Sequence, residues 1–417
     1  MSHIHCHKCK PSRRDFLRSG LFGLGVGAVV PSVFGETSFS ISAQAAQTGR
    51  EAHPERILVV VELNGGNDGL DTVIPWNNDD YRKARPTLAA AKNAALKAND
   101  EFAFHPSLGG LKKLWDDGLV AVIHGCGYPN PDRSHFTSME YWHTGTPHQP
   151  QTTGWVGRFA DTFWPQAPAN TIVNITPKQS LAVQAERHSP VVFNNPEEFR
   201  RAGDQLQADA YRQLITGRET GNSTLDFLTA ISRTASDSSL RVREVARNYK
   251  TPVAYGSTPL ALDLRKVAAL IEARFPTRIY YVSLAGFDTH ASQQSGRFYL
   301  LTGLGEALRA FHEDLRRIKR GDDVAVMMFS EFGRRVEENA SAGTDHGTAG
   351  PMFVFGSRLK AGFHGAHPSL TDLDQNGDLK MTMDFRRVYA TMIKEWMGFG
   401  DPKAILKGDF APLGIFG

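Results

Sequence analysis

Five short segments of this chain concentrate the side chains that bind divalent cations and move protons. They are Asn67-Asp68-Gly69, Asp132-Arg133-Ser134-His135, Asp288-Thr289-His290, Ser330-Glu331 and Asp345-His346. Carboxylates are hard oxygen ligands, and neutral imidazoles are ligands for zinc and its neighbours. Gathered in one place, such residues would hold one or two divalent ions, with zinc, manganese and calcium all open.

The elements around these segments would bring them together. Ile57–Leu63, Leu119–Ile123, Ile279–Leu284, Val324–Phe329 and Met352–Phe355 are continuous apolar runs rich in β-branched residues, the pattern of strands buried on both faces. Between them, Leu108–Trp115 and the Leu300, Leu304, Leu308, Phe311, Leu315 series carry helical spacing. Strands alternating with helices predict an α/β fold, with a mostly parallel central sheet and helices on both faces. Residues 56–417 read as a single domain, and the polar, helical stretch around 180–275 reads as an insertion, with Leu260, Leu264, Val267 and Ile271 on one helix face. Ligands in such sheets bind beyond the carboxyl ends of the strands. Asp68, the 132–135 segment, Asp288, His290 and Glu331 follow four strands, and Asp345-His346 precedes the fifth. All would meet at one sheet edge.

The motifs Gly65-Gly66-Asn67-Asp68-Gly69-Leu70, Arg133-Ser134-His135-Phe136, Gly286-Phe287-Asp288-Thr289-His290, Ser330-Glu331-Phe332-Gly333-Arg334 and Gly343-Thr344-Asp345-His346-Gly347 occur in that order. Together they resemble the domain of unknown function 1501 family, from about residue 56 to the C-terminus. That family is grouped with the alkaline phosphatase superfamily of phosphatases, sulfatases and phosphoglycerate mutases. The resemblance implies an alkaline phosphatase-like fold. It makes Asp68, Asp288, His290, Glu331, Asp345 and His346 the expected metal ligands and Ser134 the expected nucleophile. The chain spaces Asp288 and His290 as D-x-H where the superfamily has D-x-x-x-H, and Glu331-Phe332 stands in place of an Asp-His pair. A bound dication would activate a serine hydroxyl or a water and hold the leaving oxygen. Arg133 or Arg334 would fork onto the remaining oxygens of an anionic ester, and His135 or His124 would supply a proton.

Plainer roles compete for the same residues. Asp68 can cap its glycine turn. Ser134 can be the N-cap of a helix running through Phe136, Met139 and Tyr141. Glu331 can pair with Arg334 or Arg335, and His105 before Pro106 is a turn residue. The stretch from Asp372 to Asp378 resembles a calcium loop but has Met383 where the twelfth-position Glu belongs, so it reads as a surface turn.

The N-terminus resembles a twin-arginine export signal. Arg13-Arg14-Asp15-Phe16-Leu17 precedes a glycine-rich apolar run ending near Phe34, and Ala43-Gln44-Ala45 fits a cleavage site. Residues 1–45 are therefore read as a signal peptide and 46–55 as a flexible lead-in, giving a periplasmic or extracellular protein whose first partner is the twin-arginine export machinery. Export by that route, in the folded state, leaves no stable membrane span after cleavage. Cys6, Cys9 and the neighbouring histidines would leave with the leader, and only Cys126 would remain.

In 417 residues the formal net charge is +3, and Lys8, Lys10, Arg13, Arg14 and Arg18 against Asp15 and Glu36 account for all of it. The neutral remainder excludes the electrostatic footprint of a nucleic-acid binder. Apolar residues at 41% and charged residues at 22% exclude a disordered or polytopic membrane chain. Two functions follow: a metal-dependent hydrolase of a phosphate or sulfate ester, or a catalytically reduced relative that binds an anionic ligand or an envelope partner.

Overall fold

The computed structural model describes residues 53–165, 170–199, 210–211, 213, 215–216 and 221–417. The expected signal segment 1–45, with its paired arginines and cysteines, lies outside them. Among the described residues the strands are β1 (Ile57–Asn64), β2 (Val73–Ile74), β3 (Leu96–Lys97), β4 (Ala103–Phe104), β5 (Val120–Gly127) and β6 (Ile172–Ile175). They continue as β7 (Val191–Val192), β8 (Ile279–Ala285), β9 (Val324–Phe329), β10 (Gly350–Phe355), β11 (Gly362–His364) and β12 (Met383–Asp384). The longer helices are α1 (Gly109–Asp116), α2 (His135–Thr144), α3 (Trp155–Phe163), α4 (Ser223–Asn248), α5 (Pro259–Glu272), α6 (Gln293–Arg317) and α7 (Phe385–Thr391).

The main sheet has the order β11-β5-β10-β9-β1-β8-β6-β7, with β12 added beside β5. Every pairing is parallel except those of β10, which runs antiparallel to both β5 and β9. The mostly parallel sheet expected from the apolar runs is therefore present. One reversed strand has a useful consequence: the start of β10 lies at the same edge as the ends of β1, β5, β8 and β9. The loops ending at Asp68, His135, Asp288, Glu331 and His346 all open there.

Strand β1 explains why the sheet needs cover on both sides. Ile57, Val59, Val61 and Leu63 face one core and Leu58 and Val60 the other, all at 5% exposure or less. Helices α1, α5 and α6 fill the first core through Leu111, Leu114, Leu264, Val267, Leu304 and Leu308. Helices α2, α3 and α7 fill the second through Trp142, Trp155, Phe159, Phe385 and Tyr389. Burying each such side chain contributes roughly 1.5–3 kcal/mol. The stretch 180–275 holds β7 as well as α4 and α5, and β6 and β7 extend the sheet edge beyond β8. Among the described residues no helix is long and apolar enough to cross a membrane.

Candidate metal centre

Backbone contact sets the spacing of the loops. Gly65 follows β1 at φ +120°, and a Cβ there would stand 2.4 Å from the backbone nitrogen of Asp288. Only glycine permits both that conformation and that approach. Arg334, fully enclosed, ties the loops together. Its Nε donates to the Gly66 carbonyl at 2.9 Å, its guanidinium reaches the carbonyls of Thr344, Phe287 and Gly65, and one amino group meets Asp288 Oδ1 at 2.8 Å. Those bonds occupy Arg334 inside the protein. The arginine holds the Asp288 carboxyl down at about 2, against burial, which would raise it; His346 acts in the same direction.

Three imidazoles surround that carboxylate. His135 Nε2 lies 3.4 Å from Asp288 Oδ2, and His290 Nε2 and His346 Nε2 lie 3.1 and 3.2 Å from Oδ1. Each ring is anchored through its other nitrogen. His135 Nδ1 meets Glu331 Oε1 at 2.8 Å, His290 Nδ1 meets Asp345 Oδ1 at 3.2 Å, and His346 Nδ1 meets the Arg133 carbonyl at 2.9 Å. Carboxylates and carbonyls only accept, so each Nδ1 carries a proton, and in the neutral form each ring presents a lone pair at Nε2. Burial keeps the His346 imidazole below its ordinary range, favouring the neutral, ligating form. His135 Nε2 is buried with no hydrogen-bond partner. Anchored Nδ1 and open Nε2 form the arrangement that metal-binding histidines adopt. His135, Asp288 and His346 offer donor atoms within 4.8 Å of one another, and His290 adds another beside Asp288 and His346. The residues fit a divalent ion.

The other expected site residues sit around this group. Glu331 is buried and lies behind His135. Its Oε1 also accepts from the Gly65 N–H at 2.9 Å, and its Oε2 accepts from Ser330 Oγ at 2.9 Å. Asp345 lies behind His290. Asp68 is enclosed on another side, where its Oδ2 accepts from Arg85 and from Gln293, both at 2.7 Å. Burial would raise its carboxyl, but Arg85 and Arg297 hold it at about 2. Gln293 links Asp68 to the site loops, because its Oε1 accepts from Thr289 and Thr344. Ser134 is the exposed N-cap of α2, its Oγ accepting from the Thr137 N–H at 3.5 Å. Arg133 pairs with Asp378 at 3.2 Å.

His124 stands apart, packed against Phe102, Phe363 and His367, and burial drives its imidazole down to about 3. His105 accepts from the Ser107 N–H within its turn. The loop from Asp374 to Asp378 closes on itself, with Asp374 Oδ1 accepting from Asn376 and Asp378.

A cavity of about 540 Å³ opens beside the donor set, with His135, Asp288 and Glu331 on one wall. His143 also lines it, and behind His143 lies a buried carboxylate that none of the five motifs includes. Glu62, buried in β1, accepts from Tyr281, from Asn64 Nδ2 at 3.1 Å and from His143 Nε2 at 2.7 Å. Burial would raise the Glu62 carboxyl, but His143, Tyr281 and Asn64 together hold it below the usual range. A lone carboxylate inside an otherwise apolar strand run was the signal for it.

The chain belongs to the family described as protein of unknown function (DUF1501), whose model matches residues 55–408. No curated protein shows significant sequence similarity to it. Among solved structures it is similar to an alkaline phosphatase superfamily protein from Vibrio parahaemolyticus, with 10% identity and a TM-score of 0.41, covering 87% of this chain and 72% of that one. It is similar to the lipoteichoic acid synthase LtaP of Listeria monocytogenes, with 10% identity and a TM-score of 0.36, covering 72% and 65%. The zinc complex of the C-terminal periplasmic domain of EptC from Escherichia coli aligns with 11% identity and a TM-score of 0.32, covering 75% and 74%.

Proposed function

We propose that this chain is an exported, metal-dependent hydrolase of a phosphate or sulfate ester. One observation carries the reading: three imidazoles, each fixed through Nδ1, aim Nε2 at the single carboxylate of Asp288. A donor set with three imidazoles suits zinc better than calcium, which takes oxygen ligands. The ion would be held by His135, Asp288 and His346 with His290 beside them, and it supplies Lewis-acid neutralisation of charge on the ester oxygens.

The chain's own residues do the rest. Helix α2 points its N-terminus, with free N–H groups and a partial positive charge, into the region of His135, where an anion is favoured. Ser134 opens that helix, so the attacking oxygen is either its hydroxyl or a water admitted by the cavity. Glu331 and Asp345 fix the rings so that the donors need no reorganisation. The leader Arg13-Arg14-Asp15-Phe16-Leu17 supports delivery outside the cytoplasm, in the folded state.

The test is turnover of 4-nitrophenyl phosphate and 4-nitrophenyl sulfate by protein loaded with zinc or manganese. Hydrolysis of one of them, lost in chelator and in Asp288→Ala, is expected. A metal-loaded protein inert toward both would leave a ligand-binding protein in its place.

A further inference from the structure

The cavity beside the donor set has a second end, which hydrolysis as proposed above leaves unused. Helix α2 runs along it, and Phe136, Met139, Glu140 and His143 line it at helical spacings that share one face. His135 and His143 are eight residues apart, about 12 Å along the helix axis. Phe136 is 89% exposed, a large apolar ring left open to the cavity.

At the far end, Glu62 decides the chemistry of His143. A carboxylate at 5% exposure inside a core strand is costly unless its oxygens are satisfied, and Tyr281, Asn64 and His143 satisfy them. The carboxylate accepts, so Nε2 of His143 carries a proton, with Ser180 Oγ 3.4 Å from the same nitrogen. In the neutral ring Nδ1 is then an acceptor. Among the described residues no protein group bonds it. Glu140, exposed one helical turn before His143, adds a second acceptor to this end.

Resting on the ester reading, we propose that the substrate is an elongated ester with a hydrogen-bond donor at its far end. Its anionic group meets the donor set, and its apolar middle lies along Phe136 and Met139. Its terminal hydroxyl or amine is received by His143 Nδ1 and Glu140. The Glu62–His143–Tyr281 group is thus a specificity device, separated by two helical turns from the reacting end.

Binding of three non-hydrolysable probes to the full chain loaded with zinc tests this by calorimetry: hexylphosphonate, 6-hydroxyhexylphosphonate and 6-aminohexylphosphonate. The hydroxyl and amino probes should bind about 3- to 10-fold more tightly than hexylphosphonate, the gain of one net hydrogen bond. His143→Gln keeps an amide N–H for Glu62 but moves the acceptor off the Nδ1 position, so it should erase the hydroxyl advantage, reduce the amine advantage that Glu140 shares, and leave hexylphosphonate unchanged. Glu140→Gln should reduce the amine advantage and spare the hydroxyl. Equal binding of all three probes to the wild type overturns the proposal without needing a variant, and so does a hydroxyl advantage that survives His143→Gln in full. Failure of every probe to bind overturns the phosphate form of the ester reading, and this proposal with it.

Discussion

His290 Nε2 and His346 Nε2 face each other at 2.9 Å, while the Nδ1 of each ring is committed to an acceptor behind it. Two neutral imidazoles cannot bond through two lone pairs. A shared proton or a shared cation must relieve the contact, and Asp288 Oδ1 lies 3.1 and 3.2 Å from the pair to favour either. A divalent ion would satisfy all three atoms together with His135.

Glu331 acts through His135, so its removal should be felt as metal affinity. Glu331→Gln should fold and lose about 10- to 100-fold in affinity for zinc, the usual effect of a lost partner behind a ligating histidine. Competition with a chromogenic chelator measures it. Wild-type affinity in the variant would mean that His135 does not ligate.

Asp68 is expected to govern stability through Arg85. Asp68→Asn leaves the buried Arg85 guanidinium without its counter-charge, while Arg297 keeps its pair with Asp71, and should cost about 3–5 kcal/mol near neutral pH. The native carboxyl titrates at about 2, below its ordinary value of 3.8. Its contribution is therefore complete above the ordinary value and lost as pH falls through 2. The gap between wild type and variant in denaturant midpoint should narrow across that window. A variant as stable as wild type, with its metal gone, would move Asp68 to the ligand set.

The strands and their loops were legible because β1, β5, β8, β9 and β10 are each buried on both faces and so read as unbroken apolar runs. β6 and β7 were not: at four and two residues they are too short to show a period against the polar stretch that follows. The convergence of Asp288, His290 and His346 was legible because they follow or shortly precede buried strand runs, whose ends meet at one sheet edge. The surroundings of Asp68 were not, because Gln293 and Arg297 come from a helix more than 200 positions away. His135 was read as a proton donor to the leaving group; its place beside Asp288 depends on Glu331 from another strand end, which spacing along the chain does not encode.

Ser134→Ala should cost about 1 kcal/mol of stability, since its hydroxyl caps α2. Chemical denaturation measures that loss. A loss near zero would show that the cap does not stabilise α2. Turnover of 4-nitrophenyl phosphate or sulfate in the same variant assigns the attack, to Ser134 if it is abolished and to water if it persists.

Replacing Arg13 and Arg14 by Lys should hold the protein in the cytoplasm, because an ammonium does not reproduce the planar guanidinium that the export receptor reads. Cell fractionation gives the answer. Unchanged export would point to a different route.

Metal content tests the central claim most directly. Full chain purified after exposure to zinc and manganese, then dialysed and analysed by inductively coupled plasma mass spectrometry, should carry at least one ion per chain. Asp288→Ala and His346→Ala, folded by circular dichroism, should carry none. Metal-free wild type, or wild-type metal content in both folded variants, would contradict a metal-dependent hydrolase built on these residues.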